Sequence, residues 1–477
     1  MVKLPAVPLL LLPSLAVGAH MATTPTELSH QWVGTASLII FIIAILLVSF
    51  EEFIRLRKSK PMLLAAGMIW ALIGLSVQGS GASPQAEAAV RHSLLQYAEL
   101  MLFMLVVMTY INAMTERRVF VALRSWMSSR RYSYRQLFWL TGVSTFFLSP
   151  FLDNLSTALL MGAVVMAVGR DNPRFVSLAC VNVVIASNAG GAYSPFGDIT
   201  TLMVWQQDIM STNGRVGFFS FFSLFIPSVV NYLIPALFMH LALPEGRLPN
   251  PQEPVVMLRG ARRIIGLFLL TIATAVCFQG LLYLPAVIGV LTGLSYLQFF
   301  GYYLKKTHKI HEAHVTDEAT LTLPFVADSK RPFDVFLRVA RAEWDTLLFL
   351  CGVILSVGGL GYLGLLSLAS EIMYGQWGPT ITNIAVGLSS SVLENIPTMS
   401  AVLAMSPEMS MGQWLLVTLA AGVGGSLLSI GSAAGIALMG QSGGRYTFFG
   451  HLKWAPAIAL GYAASILTHL WINSGSF

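Results

Sequence analysis

The chain has 477 residues, 55% of them hydrophobic and only 10% charged, with a formal net charge of +6. Soluble domains carry about 25% charged residues, so a soluble enzyme or scaffold is excluded. The expectation is an all-α polytopic membrane protein with room for roughly a dozen helices of about 20 residues. Cys180, Cys277 and Cys351 lie in apolar runs, without disulfide or metal-ligand spacing.

Residues 1–19 carry Lys3, an apolar core and Val17-Gly18-Ala19, and read as a secretory signal peptide or a disordered lead. Apolar runs predict spans near 33–50, 61–78 and 94–114. A short hydrophobic piece at 136–149 meets a polar break, Ser149 to Thr157, and resumes over 156–169. The span 175–204 is interrupted by a second break, Ser187 to Thr201, and another span covers 217–241. Spans at 264–282 and 286–304 share a very short turn, and 305–342 is the one substantial loop, read as a solvated cytoplasmic linker. Then come 345–368, a piece at 379–393, a break at Glu394, a piece at 398–405, an interrupted span at 412–440 and a last span at 454–473. Such polar breaks survive at membrane depth only where protein buries them or they line a wet cavity.

Charge placement orients this map. With the 51–60 loop in the cytoplasm, and 136–169 and 379–405 treated as re-entrant hairpins, the basic loops 115–135, 170–174, 245–263, 305–342 and 441–453 all fall inside. Only Lys3, Arg91 and Arg215 lie elsewhere. Both termini are then outside, and the basic surplus is topological, so no nucleic-acid partner is expected.

Each half reads as three spans, a re-entrant hairpin, a broken span and a closing span. Glu99-Leu100-Met101-Leu102-Phe103 parallels Asp345-Thr346-Leu347-Leu348-Phe349. Asp153-Asn154-x-x-Thr157 parallels Glu394-Asn395-x-x-Thr398, and Gly190-Gly191 with Gly197 parallels Gly424-Gly425 with Gly431. The first unit spans 33–241, a linker covers 242–263, and the second unit spans 264–473. The span holding Glu99 starts outside and that holding Asp345 starts inside, so the expectation is two inverted-topology repeats, the design of secondary transporters.

Five acids lie away from loops and span flanks: Glu99, Asp153, Asp198, Asp345 and Glu394. An ionisable group at membrane depth is a functional hypothesis by default. Asp153 and Glu394 sit at hairpin tips, where capping of the return helix is an alternative role. Asn154, Asn188, Asn395, Thr157, Thr398, Thr200, Thr201, Thr346, Ser187, Ser429 and Ser432 supply neutral oxygens nearby. Carboxylate, amide, hydroxyl and carbonyl oxygens, without convergent His or Cys, describe a hard-cation site. His92, seven residues before Glu99, is a candidate proton relay or pH sensor, with a solvated loop histidine as the alternative.

At these motifs the chain resembles the ion transporter superfamily, and most closely its NhaD-type sodium/proton antiporters. The resemblance rests on Ser149 to Met161, Ser187-Asn188-Ala189-Gly190-Gly191, Ser194-Pro195-Phe196-Gly197-Asp198-Ile199-Thr200-Thr201, Trp344-Asp345-Thr346 and Glu394-Asn395-Ile396-Pro397-Thr398. It covers about residues 35 to 473. The dicarboxylate symporters of that superfamily carry Ser-Asn-Thr at both hairpin tips, whereas here the tips read Asp153-Asn154-Leu155 and Glu394-Asn395-Ile396. The resemblance implies Na+ (or Li+) exchanged for H+ across a bacterial cytoplasmic membrane, with no cofactor, in a homodimer. Na+ is expected at Asp153, Asn154, Asn188, Glu394 and Asn395, with Asp153, Asp198, Asp345 and Glu394 as the titratable set. The competing readings are a sodium-coupled dicarboxylate or arsenite carrier and, remotely, an intramembrane aspartyl protease using Asp153 and Asp198.

Overall fold

The computed structural model describes residues 32–54, 56–78, 82–128, 132–169, 172–246, 255–312 and 334–477. The expected leader at 1–19 and most of the 305–342 loop lie outside the described residues. The principal helices are α1 (Trp32–Ser49), α2 (Ser59–Val77), α3 (Ser83–Glu116), α4 (Tyr134–Leu152), α5 (Asn154–Val168), α6 (Pro173–Gly191), α7 (Ile199–Gln206) and α8 (Phe225–Leu241). They continue as α9 (Ala261–Leu281), α10 (Ala286–Glu312), α11 (Trp344–Tyr362), α12 (Pro379–Leu393), α13 (Asn395–Met405), α14 (Met411–Gly424), α15 (Ala433–Gln441) and α16 (Ala455–Ile472). Among the described residues, nine helices are long and apolar enough to cross a membrane. The chain is a multi-pass, all-α membrane protein, as composition required.

Local chemistry sets the helix limits. Pro84 in the first turn starts α3 at Ser83, eleven residues before the hydropathy signal at 94. That extra stretch is polar, with Arg91 and Glu87 paired at 2.7 Å one turn apart, so an apolar window misses it. Ser133 closes a capping box with Gln136 ahead of α4, and Asn172 caps α6, whose first residue is Pro173.

Packing puts the broken helices at the centre. In the hydrophobic window of α6, 89% of residues are buried. α4 lies on α6 and α12 on α14, while α5 packs on α15 and α13 on α7. α2 lies on α11 and α3 on α10, and α8 meets α16. Three of the basic loops, 115–135, 245–263 and 305–342, meet at one end of α3. Leu258 N–H donates to Arg117 O at 3.0 Å and Tyr134 N–H to Gly246 O at 3.2 Å. The Val255 N–H reaches Ser125 Oγ at 2.8 Å, and the Asn112 amide reaches Arg338 O at 3.2 Å.

Several elements carried no signal in hydropathy. The 115–135 loop contains a helix, Val119–Ser128, and a helix at Val335–Ala340 precedes α11. A two-stranded antiparallel ribbon pairs Met210–Ser211 with Gly214–Arg215. Its turn docks on the segment before α14, with the Thr212 N–H on Met409 O at 3.2 Å.

Candidate functional site

The site is built from two helix-hinge-helix units, α4–α5 and α12–α13, each lying on a broken helix. Both hinges are single acids with positive φ: Asp153 at φ 62, ψ 161 and Glu394 at φ 58, ψ 156. A non-glycine residue there costs on the order of 1–3 kcal/mol and persists only where its surroundings enforce it. The enforcing contacts match. Ser149 Oγ donates to Ser187 O at 2.6 Å, and Ser390 Oγ to Ala421 O at 2.8 Å. A Cβ at Gly190 would lie 2.3 Å from Phe146 O, and one at Gly424 would lie 2.1 Å from Gly387 O. Gly191 against Gly197, and Gly425 against Gly431, leave a Cβ only 2.7 Å from a backbone oxygen. Glycine is required at both crossings.

These hinges converge on the two helix breaks. The Asn154 amide donates to Asn188 Oδ1 at 3.2 Å, and the Asn188 amide donates to Ser426 Oγ at 2.8 Å. The Asn395 amide donates to Asp198 Oδ2 at 2.6 Å, tying the second hinge to the first break. Asn154, Asn188, Asp198, Glu394, Asn395 and Ser426 are all buried. Thr201 Oγ donates to Asp198 O at 2.7 Å, and the Asp198 N–H returns to Thr201 Oγ at 3.2 Å, which starts α7. Thr157 Oγ and Ser429 Oγ are buried without a hydrogen-bond partner among the described residues. They add two uncommitted oxygens to an array of carboxylate, amide and hydroxyl groups, the donor set of a hard cation.

The two hinge acids differ in their surroundings. Asp153 is half-buried and caps α5: the Ser156 N–H donates to Oδ1 at 2.7 Å and the Ser156 hydroxyl to Oδ2 at 2.9 Å. Glu394 makes no cap. Three residues on stands Pro397, which has no N–H to offer. Its carboxylate points to Lys58, with Nζ 3.7 Å from Oε2. Lys58 belongs to the 51–60 loop, read from sequence as a basic cytoplasmic loop, and it is buried. The charge pattern gave no hint of its partner. Beside it, Ser59 Oγ donates to Asp345 Oδ1 at 2.5 Å.

The other expected residues lie around these contacts or apart from them. Glu99 lines a cavity of about 150 Å³ with Gln206, Asp208, Arg215 and Gln279. His92 is exposed, on the same helix two turns away, with Nε2 3.1 Å from the Gln96 amide. Thr346 donates to Glu343 at 3.3 Å, and Thr398 to Glu394 O at 2.9 Å. Ser187 Oγ bonds Val184 O at 2.9 Å, and Ser432 caps α15. Thr200 is buried in the first turn of α7. Three groups went unselected in the sequence: Lys58, Ser426 and His451. His451 is fully buried, with Nε2 2.8 Å from Ser426 O and Nδ1 2.8 Å from Tyr446 Oη. A histidine next to an apolar run carries no signal of that position. Ser426 adjoins the second glycine pair, as Ala192 adjoins the first, and its place could have been found there.

The chain matches the family model described as a citrate transporter over residues 32–422. It is 56% identical to the Na(+)/H(+) antiporter NhaD of Vibrio cholerae, with 96% of each chain covered. Identity to the Halomonas elongata Na(+)/H(+) antiporter NhaD is 51%, covering 99% of this chain and 94% of that one. Sodium/proton antiporter 1 of Arabidopsis thaliana is 30% identical over 97% of this chain and 77% of its own.

Proposed function

The chain belongs to the NhaD family of Na+/H+ antiporters, and on that premise we propose how its two hinge units carry the exchange of Na+ for H+. The units form two inverted-topology repeats, each a re-entrant hairpin on a broken span. The matching hinge torsions, serine contacts and glycine crossings support this reading. Inverted repeats with discontinuous helices near the midplane place an ion site between the halves. The site comprises Asp153, Asn154, Asn188, Asp198, Glu394 and Asn395, with Thr157 and Ser429 oxygens beside it. Asp345 and Glu99 lie on the routes to it.

Na+ and H+ compete for the same carboxylates. Deprotonation of Asp198 and the hinge acids creates the negative charge that draws in Na+. Protonation from the other side discharges it. Because the acids are near one another they titrate as a set, and exchange rises steeply with pH. Li+, a smaller hard cation, suits the same oxygens. The protein works in the bacterial cytoplasmic membrane, with both termini outside and in a homodimer. No cofactor enters the reaction.

The observation that carries this proposal is the Asn395–Asp198 hydrogen bond at 2.6 Å, which joins the second hinge to the first break. Everted membrane vesicles acidified by respiration test it. Sodium chloride is expected to alkalinise them through the parent protein and not through Asp198→Asn. Unchanged alkalinisation in Asp198→Asn would remove Asp198 from the site.

A further inference from the structure

We propose that Lys58 is a tethered counter-cation of the transport site, holding Glu394 while no transported cation does and giving it up when Na+ binds. The inference rests on the reading of Glu394 as a cation-binding residue. Lysine is almost never fully buried unless paired, yet Lys58 is only 7% exposed. Its Nζ lies 3.7 Å from Glu394 Oε2, longer than the roughly 2.8 Å of a charge-assisted hydrogen bond. The pair is held by charge and can open without breaking a short directional bond.

The lysine has a second resting place. Its Nζ lies 4.8 Å from the centre of the Phe349 ring on α11, within the range of a cation–π contact. An ammonium displaced from Glu394 therefore keeps a favourable partner. The loop that carries it is fastened to both neighbours. Ser59 bonds Asp345 at the start of α11, and Ser49 Oγ bonds Val392 O in α12 at 3.3 Å. Lys58 is thereby held beside the hinge.

The surrounding charge favours a cation exchange. Glu394, Asp345 and Glu51 all act on this locus. Among the described residues these three carboxylates share Lys58, so acidic groups are left over after Lys58 has paired once. The first hinge is built differently. Asp153 takes both its bonds from Ser156. The turn between α9 and α10 is Leu282-Tyr283-Leu284-Pro285 and carries no basic residue. Among the described residues no cation pairs with Asp153, so the internal competitor for Na+ belongs to the second hinge.

The test is the apparent KM for Na+ in everted vesicles at a pH where the carboxylates are ionised, with Lys58→Gln, Lys58→Arg and Glu394→Gln beside the parent. Lys58→Gln is expected to lower KM by at least about fivefold, the lower range of a coupling between two ligands of one site. Lys58→Arg, which keeps the charge, should stay close to the parent. A KM for Lys58→Gln that is unchanged or raised makes Lys58 a structural pair and overturns the proposal. A second measurement needs no variant. Acetylation of Lys58 by an amine-reactive ester, read by mass spectrometry, should rise in sodium chloride over choline chloride at equal ionic strength, and equal labelling overturns the proposal. Parent-like KM in Glu394→Gln would sink the reading of Glu394 itself. A raised KM there, with Lys58→Gln unmoved, would sink only the lysine's role.

Discussion

Gly424→Ala tests the hinge architecture through one methyl group. The added Cβ would stand 2.1 Å from Gly387 O and 2.9 Å from Gly387 C, whereas ordinary contact begins at 3.4 Å. Both opposing atoms are backbone, so no side chain can swing aside, and α12 must move by more than an ångström. Overpacking a close-packed interior costs about 1–3 kcal/mol, and a backbone-to-backbone clash belongs at the upper end. The displaced arm carries Glu394 and leads into Asn395, and a misplacement of about 1 Å at a reacting geometry costs on the order of 100-fold. Sodium-triggered alkalinisation in vesicles should fall by one to two orders of magnitude, and the melting temperature in detergent should drop. Gly190→Ala should behave alike, since its Cβ meets Phe146 O at 2.3 Å. Gly266→Ala is the control, with nothing within 4 Å of the new atom. Parent-like exchange and melting in Gly424→Ala would refute the claim that α12 and α14 touch through this glycine.

Asn395→Ala removes a donor to a buried carboxylate, a hydrogen bond worth about 1.5–3 kcal/mol. It should shift apparent Na+ affinity by about tenfold or more, read by Na+ titration in vesicles, and an unchanged titration would dissolve the link between the second hinge and the first break. Arg338 Nε lies 2.5 Å from Glu116 Oε2 at the loop end of α3. Arg338→Ala removes one of two cations on Glu116, which keeps Arg117 at 3.8 Å, and should destabilise the protein by about 1.5 kcal/mol, the loss of one charge-assisted hydrogen bond, seen as a lower melting temperature with KM for Na+ unmoved. Burial pushes the Glu51 carboxyl up, Lys58 opposes this, and Glu394 and Asp345 add to it. A carboxyl raised on folding contributes stability that is present below its unfolded range and lost as pH rises through the folded value. Glu51→Gln should therefore melt higher than the parent at about pH 8 and lose that advantage towards about pH 4; an equal difference at both pH values would refute the assignment.

The helices were legible because apolar runs and their breakers coincide. α12 covers Pro379–Leu393, as the run at 379–393 predicts, and α6 stops at the glycine pair. The hinges were legible because a carboxylate and an amide inside apolar sequence have few structural uses. What the hinges touch was not legible. Nothing in the local sequence of Lys58 distinguishes it from Arg55, Arg57 or Lys60, since its burial is decided by α11 and α12 packing over the loop nearly 300 residues later. The ribbon at 210–215 was missed because a strand of two residues has no periodicity to read. The first turns of α3 were missed because they are amphiphilic and protrude beyond the apolar window.

Asp153 carries two roles that two substitutions can separate. Its carboxylate caps α5 through Ser156, and it stands at the first hinge as a charge. Asparagine is as good an N-cap as aspartate, and losing a cap costs about 0.5–2 kcal/mol. Asp153→Asn therefore keeps the cap and removes the charge. The expected result is a parent-like melting temperature with exchange abolished. Asp153→Glu keeps the charge, but its extra methylene carries the carboxylate past the Ser156 N–H, so the cap is lost. Asp153→Glu should melt lower by about 1 kcal/mol of stability while retaining measurable exchange. If Asp153 served only as a cap, the order would reverse: Asp153→Asn would exchange like the parent and Asp153→Glu would be the weaker transporter. Vesicle exchange and melting, measured on both variants, decide between a hinge acid that moves ions and one that only ends a turn.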